Sequence, residues 1–316
     1  MNDSDHSPDP GADVRQAFGR SVRTVGVRDL AAVLALSGCH REPVKPVELH
    51  VSAAVSLREP LEDLARRYER DHRAVRVRFA FGASGDLATQ IERGAPVSLF
   101  ASAASDPVER LRRTARLNVL CTLAGNELVL VRQRDARLDD LGWENLATHP
   151  GVQRVALGVA PTVPAGVYAE RALTSLGAMD ALRPKVVRGG NVRQVLDLVA
   201  RGEAEAGVVY ATDVRGRSDV TVVGPPPPSA RPTVRYPLAW MAAAEHGPEA
   251  RALGAFLCGP DGRRVFDAHG FTAPWWEGPS HSRCAWRSRR WWWWFRLGRR
   301  SGGGSRGGAM AGCVAR

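Results

Sequence analysis

The chain has 316 residues, of which 44% are hydrophobic, and a formal net charge of +11. This length and composition predict a globular protein with a real core and room for two domains, and they exclude a purely disordered chain. The positive charge does not by itself indicate a nucleic-acid partner: residues 273–316 hold nine arginines and one glutamate, a charge of +8, so the basic balance belongs mostly to the tail.

The N-terminal segment, residues 1–39, is predicted to be an export signal. Its apolar run at 30–38 is as long as a short signal-peptide core and ends in Leu-Ser-Gly-Cys. That ending resembles the lipobox of bacterial lipoproteins, so we expect Cys39 to be lipidated and to anchor the protein to the membrane. The alternatives are a plain signal peptide and an ordinary buried helix. Residues 40–46, with two prolines, are predicted to be a tether.

The segment that follows alternates strand-like and helix-like stretches, as in a parallel sheet covered by helices. Ser56 and Ser84 each stand where a strand gives way to a helix, so each is predicted to be the N-cap of that helix. Because the first N–H groups of a helix lack intrahelical partners, such turns can also present donors to an anion. The predicted elements are strands at 47–55 and 75–81, helices at 57–72 and 86–93, a buried run at 97–101 and a helix near 106–114.

The next part of the chain predicts a second α/β unit and a return to the first. Its strands are expected at 127–131, 154–158, 186–188 and 206–210, and its helices at about 165–176 and 191–201. The proline-rich stretch 224–232 is predicted to be a surface loop biased to polyproline II. A strand at 234–238 and helices at 247–258 and 260–268 follow. We therefore predict an α/β protein of two lobes, the first formed by 47–124 and 237–272 and the second by 125–236.

The sequence gives little support to an enzyme. Gly-Ala-Ser-Gly at 82–85 is not a nucleophile elbow, and neither a Walker lysine nor a dinucleotide-binding glycine motif is present. The eight histidines form no metal spacing, and the five cysteines show neither metal-ligand nor redox spacing. We expect no enzymatic activity, no cofactor and no metal bound directly by side chains. A hydrolase built from Ser56 or Ser84 with a distant histidine is the enzymatic alternative.

Two of the cysteines lie in the predicted body of the protein. Cys121 and Cys258 each sit in an apolar run and are most simply interpreted as buried thiols. An exported protein could also join them in a disulfide, and the sequence leaves this open.

Several ordered segments between 47 and 272 carry a family resemblance. They are Ala-Ala-Val-Ser-Leu at 53–57, the stretch 81–96 ending in Gln-Ile-Glu-Arg-Gly-Ala-Pro, Val-Pro-Ala-Gly-Val-Tyr-Ala at 163–169, Asn-Val-Arg at 191–193 and Gly-Val-Val-Tyr at 207–210. Together they resemble the substrate-binding proteins of bacterial molybdate ABC transporters. The resemblance implies a type II periplasmic binding protein, in which two α/β lobes close over a ligand in the cleft between them.

The resemblance also implies a function and a set of contacts. The protein would capture molybdate or tungstate outside the cytoplasm and deliver it, as a monomer, to a membrane permease with its ATPase. The implied oxyanion contacts are Ser56 and Ser84 in the first lobe, and Ala165, Val192 and Tyr210 in the second. Hydroxyls and backbone N–H groups can hold a tetrahedral dianion with no cationic side chain. Another oxyanion, such as sulfate, is the alternative ligand.

Residues 273–316 are a basic, low-complexity tail that contains seven of the nine tryptophans and many glycines. We interpret it as a disordered extension or as sequence translated out of frame, and we expect no nucleic-acid partner. The alternative is that its arginines and aromatic residues bind nucleic acid or an anionic membrane surface.

Overall fold

The computed structural model of the protein describes residues 46–114 and 117–273. The predictions for the export signal, Cys39, the tether up to residue 45 and the tail fall outside the described residues. Within those ranges, none of the helices combines the length and the apolar character that crossing a membrane requires. The described residues form two five-stranded sheets with helices packed against them, which confirms the predicted α/β architecture.

The helices and strands follow the predicted alternation, and most bounds agree within a residue or two. The strands are β1 Val47–Ala54, β2 Val75–Gly82, β3 Leu99–Ala101, β4 Leu117–Asn126, β5 Leu128–Gln133, β6 Val155–Gly158, β7 Val186–Gly189, β8 Ala206–Tyr210, β9 Val220–Gly224 and β10 Val234–Met241. The α-helices are α1 Arg58–Asp71, α2 Ser84–Glu92, α3 Ser105–Thr114, α4 Pro164–Ser175, α5 Met179–Leu182, α6 Val192–Ala200, α7 Gly247–Cys258 and α8 Pro260–Ala268. Short 3₁₀ turns lie at Val55–Leu57, Arg183–Lys185 and Pro228–Ala230.

The two sheets have the same plan. The first has the order β2-β1-β3-β10-β4, and the second has the order β7-β6-β8-β5-β9. In the first sheet β1 runs parallel to β2 and β3, and in the second β6 runs parallel to β7 and β8. One strand of each sheet, β10 in the first and β5 in the second, runs antiparallel to both of its neighbours. The predicted lobe borders, 124/125 and 236/237, fall inside β4 and β10.

The helices bury one face each, because their apolar residues recur at helical spacing. In α1, for example, Leu61, Leu64 and Tyr68 are buried in the hydrophobic core, whereas Arg66 and Arg67 between them are exposed. Full burial of each such side chain stabilises the fold by roughly 1.5–3 kcal/mol. The cores under the two sheets thus hold the strand ends in fixed positions.

Two strands were not predicted from the sequence. β4 shows no regular alternation: Leu117 is buried, the next two residues are exposed, residues 120–122 are half-buried, and the last four, 123–126, are all buried. β9 is short and half-exposed, and among the strands of the described residues it pairs only with β5. Their positions are set by their partners β10 and β5, which a local pattern does not reveal.

The interpretation of Cys121 and Cys258 as buried thiols was wrong, because the two are joined in a disulfide. Cys121 lies on β4 and Cys258 ends α7, so the bond ties a helix of the first lobe to its sheet. The two residues are 137 positions apart, and only the packing of α7 on β4 brings them together.

Candidate functional site

The candidate site lies between the two sheets, at the carboxyl ends of their parallel strands. This is where ligands bind in open α/β sheets. Loops that follow β1, β2 and β3 approach it from one lobe, and loops that follow β6, β7 and β8 approach it from the other. The pocket is small, with a cavity volume of about 10 Å³, whereas sites for drug-sized ligands typically measure roughly 300–1,000 Å³. It is lined by Ala54, Val55, Ser56, Gly82, Ala83, Ser84, Ala103, Val163, Pro164, Ala165, Asn191, Val192 and Tyr210.

All five residues predicted to contact an oxyanion line this pocket: Ser56, Ser84, Ala165, Val192 and Tyr210. They are more than 150 positions apart at the extremes and come from both lobes. No charged side chain is among the lining residues, so the pocket offers only backbone dipoles, hydroxyls and the Asn191 amide. Within the described ranges, no group of three or more His, Cys, Asp or Glu side chains is placed to hold a metal ion.

The prediction that Ser56 and Ser84 are N-caps was wrong. Ser56 lies inside the 3₁₀ turn Val55–Leu57, and Leu57 occupies the N-cap position of α1. Ser84 is the first residue of α2, and Ala83 precedes it as the cap. In both cases the turn begins earlier than the sequence pattern indicates, so neither hydroxyl bonds back to its own helix and both face the pocket.

Each serine hydroxyl has a partner in the first lobe. The Oγ of Ser84 accepts a hydrogen bond from the backbone N–H of Ala103, with a distance of 3.0 Å. The Oγ of Ser56 lies 3.2 Å from the hydroxyl oxygen of Tyr236 on β10. With a lone pair of Ser84 already engaged by an N–H group, its own O–H is free to donate into the pocket.

The second lobe contributes the starts of two helices. Ala165 is the second residue of α4, and Val192 is the first residue of α6. At the start of α4, Gly166 and Val167 donate their N–H groups to the Val163 carbonyl. The N–H groups of the residues before these two, at the very start of a helix, have no acceptor one turn back and lie at the positive end of the helix dipole. The backbone at Ala165 and Val192 is therefore suited to an anion.

Tyr210, at the end of β8, brings a hydroxyl that is fully buried and has no hydrogen-bond partner among the described residues. Burial raises the pKa of Tyr210 well above its ordinary value, and the neighbouring Tyr236 adds to the shift. The phenol is thus protonated and can donate. A buried polar group left unpaired costs about 1–3 kcal/mol, so this hydroxyl favours a ligand that accepts a hydrogen bond.

The two lobes touch around the pocket. The N–H of Gly85 on α2 donates to the carbonyl of Thr162, in the loop before α4, at 2.9 Å. Nearby, the Arg193 guanidinium on α6 lies 2.7 Å from a carboxylate oxygen of Glu59 on α1. The pocket is therefore bounded by contacts between lobes, and both lobes must be in place for the donors to converge. Local sequence patterns did not point to these contacts, since each joins distant segments.

A buried carboxyl lies beyond this contact. Asp213 accepts a hydrogen bond from the backbone N–H of Tyr210 at 3.3 Å, and its other oxygen lies 3.2 Å from Nε of Arg193 without the alignment of a hydrogen bond. Burial raises the pKa of Asp213 to about 7, although Arg193 and the N–H bond oppose the shift. Its proton equilibrium thus falls near neutral pH.

Comparisons with known proteins agree with this architecture. A putative ABC transporter substrate-binding lipoprotein of Bacillus subtilis, YvgL, is 34% identical over 257 residues, which cover 79% of this chain and 98% of that protein. The molybdate-binding protein ModA of Escherichia coli is 35% identical over 233 residues, which cover 71% of this chain and 89% of ModA.

A solved structure agrees as well. The substrate-binding domain of a putative molybdenum ABC transporter from Clostridium difficile is 32% identical to this chain, with a TM-score of 0.55, and the match covers 72% of this chain and 99% of that one. The family model for bacterial extracellular solute-binding proteins matches residues 49–272. These findings confirm the family resemblance and the two-lobed fold predicted from the sequence. The chain therefore belongs to the bacterial extracellular solute-binding proteins.

Proposed function

We propose that this protein is the substrate-binding component of an ABC transporter and that it captures molybdate or tungstate. The observation that carries the proposal is the neutral pocket in which donors from both lobes converge, among them the buried, unpartnered hydroxyl of Tyr210. The similarity to ModA, a molybdate-binding protein, supports the same ligand.

The proposed contacts are the hydroxyl and N–H groups of Ser56 and Ser84, the N–H groups of Ala165 and Val192, and the phenol of Tyr210. A tetrahedral dianion offers four acceptor oxygens, so donors arranged around it can each find a lone pair. Charge-assisted hydrogen bonds of this kind are about twice as strong as neutral ones. Because the donors belong to two lobes, the anion would hold the lobes together.

Selection among oxyanions follows from the same features. Donors at fixed positions suit an oxyanion with one particular distance between its oxygens. The smaller sulfate would therefore make longer and weaker hydrogen bonds than molybdate. A protonated oxyanion would turn an O–H toward donors and leave it unpaired, which is costly in a buried site. We therefore propose that sulfate and phosphate bind much more weakly than molybdate.

A binding role also suits the surroundings of the two serines better than catalysis does. The hydrogen-bond neighbours of their hydroxyls are the Tyr236 phenol and the Ala103 N–H, and neither can act as the general base that activates a serine nucleophile near pH 7. We propose that the protein is not an enzyme and that it carries no cofactor.

Isothermal titration of the protein with molybdate, tungstate, sulfate and phosphate tests the proposal. We expect one-to-one binding of the first two and much weaker binding of the others. Tyr210→Phe should lower molybdate affinity about 10- to 100-fold, since it removes one donor to a charged ligand. Tyr68→Phe is the matched control, because Tyr68 packs against Phe256 on α7, outside the pocket. Equal binding of sulfate and molybdate would refute the assignment.

The location and partners are part of the same proposal. We propose that Cys39 is lipidated, that the protein acts as a monomer, and that a permease with its ATPase receives the ligand. If so, Cys39→Ser should move the protein from the membrane fraction to the soluble extracytoplasmic fraction. A soluble distribution of both forms would favour a plain signal peptide.

A further inference from the structure

Three side chains form a connected set that begins in the pocket with Ser56 and continues behind it with Tyr236 on β10 and Asn126 at the end of β4. The Oδ1 of Asn126 accepts the N–H of Glu127 at 2.9 Å, which fixes the orientation of the amide. Its Nδ2 group therefore points the other way and donates to Thr212 Oγ1 at 2.8 Å and to the Tyr236 hydroxyl at 3.0 Å. Both amide protons are thus used.

The orientation of the amide determines the direction of the next hydrogen bond. The Tyr236 side chain is 0% exposed, so its hydroxyl proton needs a buried acceptor. Burial, followed by the nearby Asp213, raises the pKa of Tyr236, so the phenol remains protonated. Asn126 presents only N–H protons to Tyr236 and cannot accept. The remaining hydrogen-bond neighbour in the described part of the chain is Ser56 Oγ, at 3.2 Å.

We propose that Asn126 and Tyr236 are positioning residues that fix the Ser56 hydroxyl as a donor toward the anion. This donor relay, defined as Asn126, Tyr236 and Ser56, runs in one direction: the amide donates to the phenol, the phenol to the serine, and the serine to the ligand. The inference rests on the proposed oxyanion site and adds to it two residues that do not line the pocket.

The relay has a consequence for selectivity. A free serine hydroxyl rotates and can either donate or accept. Once Tyr236 donates to one lone pair, the Ser56 O–H is held in the remaining orientation toward the pocket. Ser56 then favours a fully deprotonated oxyanion and disfavours one that carries an O–H. Without the relay, Ser56 could turn and accept from a protonated oxyanion, so the preference for molybdate over phosphate would fall.

A double-mutant cycle distinguishes positioning from a structural role. Molybdate affinity is measured by titration for the wild type, Tyr236→Phe, Ser56→Ala and the double variant, and phosphate binding is measured by its competition with molybdate. We expect Tyr236→Phe to lower molybdate affinity about 3- to 10-fold and to reduce the molybdate-to-phosphate preference. In the Ser56→Ala background the same change should cost little, because the group that it orients is gone.

Asn126→Asp is a second variant, of nearly the same shape, and it covers the case in which Tyr236→Phe fails to fold. An aspartate in this position would accept the Tyr236 proton, reverse the relay and turn Ser56 into a donor to Tyr236. We expect the added negative charge to lower molybdate affinity in either background, and the reversed relay to cause a further loss only while Ser56 is present. Equal losses with and without Ser56, or an unchanged preference over phosphate, would overturn the relay. A wild-type chain that binds no oxyanion would overturn the proposed function, and the relay with it.

Discussion

Gly85→Ala should weaken molybdate binding without destabilising the ligand-free protein. Gly85 is the second residue of α2, and its N–H donates to the Thr162 carbonyl of the other lobe at 2.9 Å. A Cβ at Gly85 would lie 2.6 Å from the Cα of Thr162 and 2.7 Å from its carbonyl oxygen. These are backbone atoms and cannot rotate away, so Gly85→Ala would keep the lobes from closing fully around the pocket.

The magnitude follows from the cost of overpacking, which is typically 1–3 kcal/mol. If closure is needed for binding, Gly85→Ala should lower molybdate affinity by about 5- to 150-fold. The ligand-free protein should not be destabilised, because alanine is favoured over glycine inside a helix by about 1 kcal/mol. In the absence of ligand the lobes can also relieve the steric contact by opening. The ligand-free unfolding temperature should therefore stay level or rise, while the increase caused by molybdate should shrink.

Gly247→Ala is the matched control. Gly247 begins α7, and a Cβ there would meet only the Trp240 ring, at 3.9 Å, which is an ordinary contact. Calorimetric titration gives the affinity, and thermal unfolding with and without molybdate gives the stability. Wild-type affinity in Gly85→Ala would refute the argument that the Gly85 to Thr162 contact belongs to the bound state. A large loss of ligand-free stability would refute the assumption that the lobes can open.

Three further predictions concern the disulfide, the buried acid and the contact between lobes. Cys258→Ser should lower the free energy of unfolding by about 2–5 kcal/mol in a denaturant titration, and reductant should have the same effect on the wild type but none on the variant. Burial raises the pKa of Asp213 from 3.8 to about 7 in the folded protein, so between these pH values the folded state keeps a proton that the unfolded chain loses. Stability should therefore fall as the pH rises from 3.8 to about 7. Asp213→Asn should remove this pH dependence of the unfolding temperature. Glu59→Gln, which removes the charge facing Arg193 in a partly exposed pair, should weaken molybdate binding by no more than about 5-fold, and the effect should shrink in high salt.

The order of helices and strands could be predicted from the sequence because it depends on local apolar spacing. The segments around Ser56 and Ser84 illustrate the limit of such patterns. Their strand-to-helix turns are where the sequence placed them, yet the serines are not caps, since the turns start one or two residues earlier. Apolar spacing locates such a turn only to within a residue or two, and it does not identify the capping residue.

Contacts between residues far apart in the sequence could not be predicted from it. The disulfide joins residues 137 positions apart, and the Tyr236 hydroxyl reaches Ser56 across 180 positions. Ala165 and Val192 were predicted as site residues from the family resemblance alone. Neither has a functional side chain, since the proposed contacts are their backbone N–H groups. Resemblance did not point to Asn126 or Tyr236, whose effect would pass through Ser56.

Anomalous diffraction from crystals grown with molybdate is the most direct test of the proposed site. At the molybdenum absorption edge the metal gives a signal that locates the ligand independently of any assumption about its contacts. We predict a single strong peak between the two lobes, with the oxyanion oxygens within hydrogen-bond distance of Ser56, Ser84, Ala165, Val192 and Tyr210. A peak elsewhere on the molecule, or none at molybdate concentrations that saturate binding in solution, would contradict the assignment of this pocket.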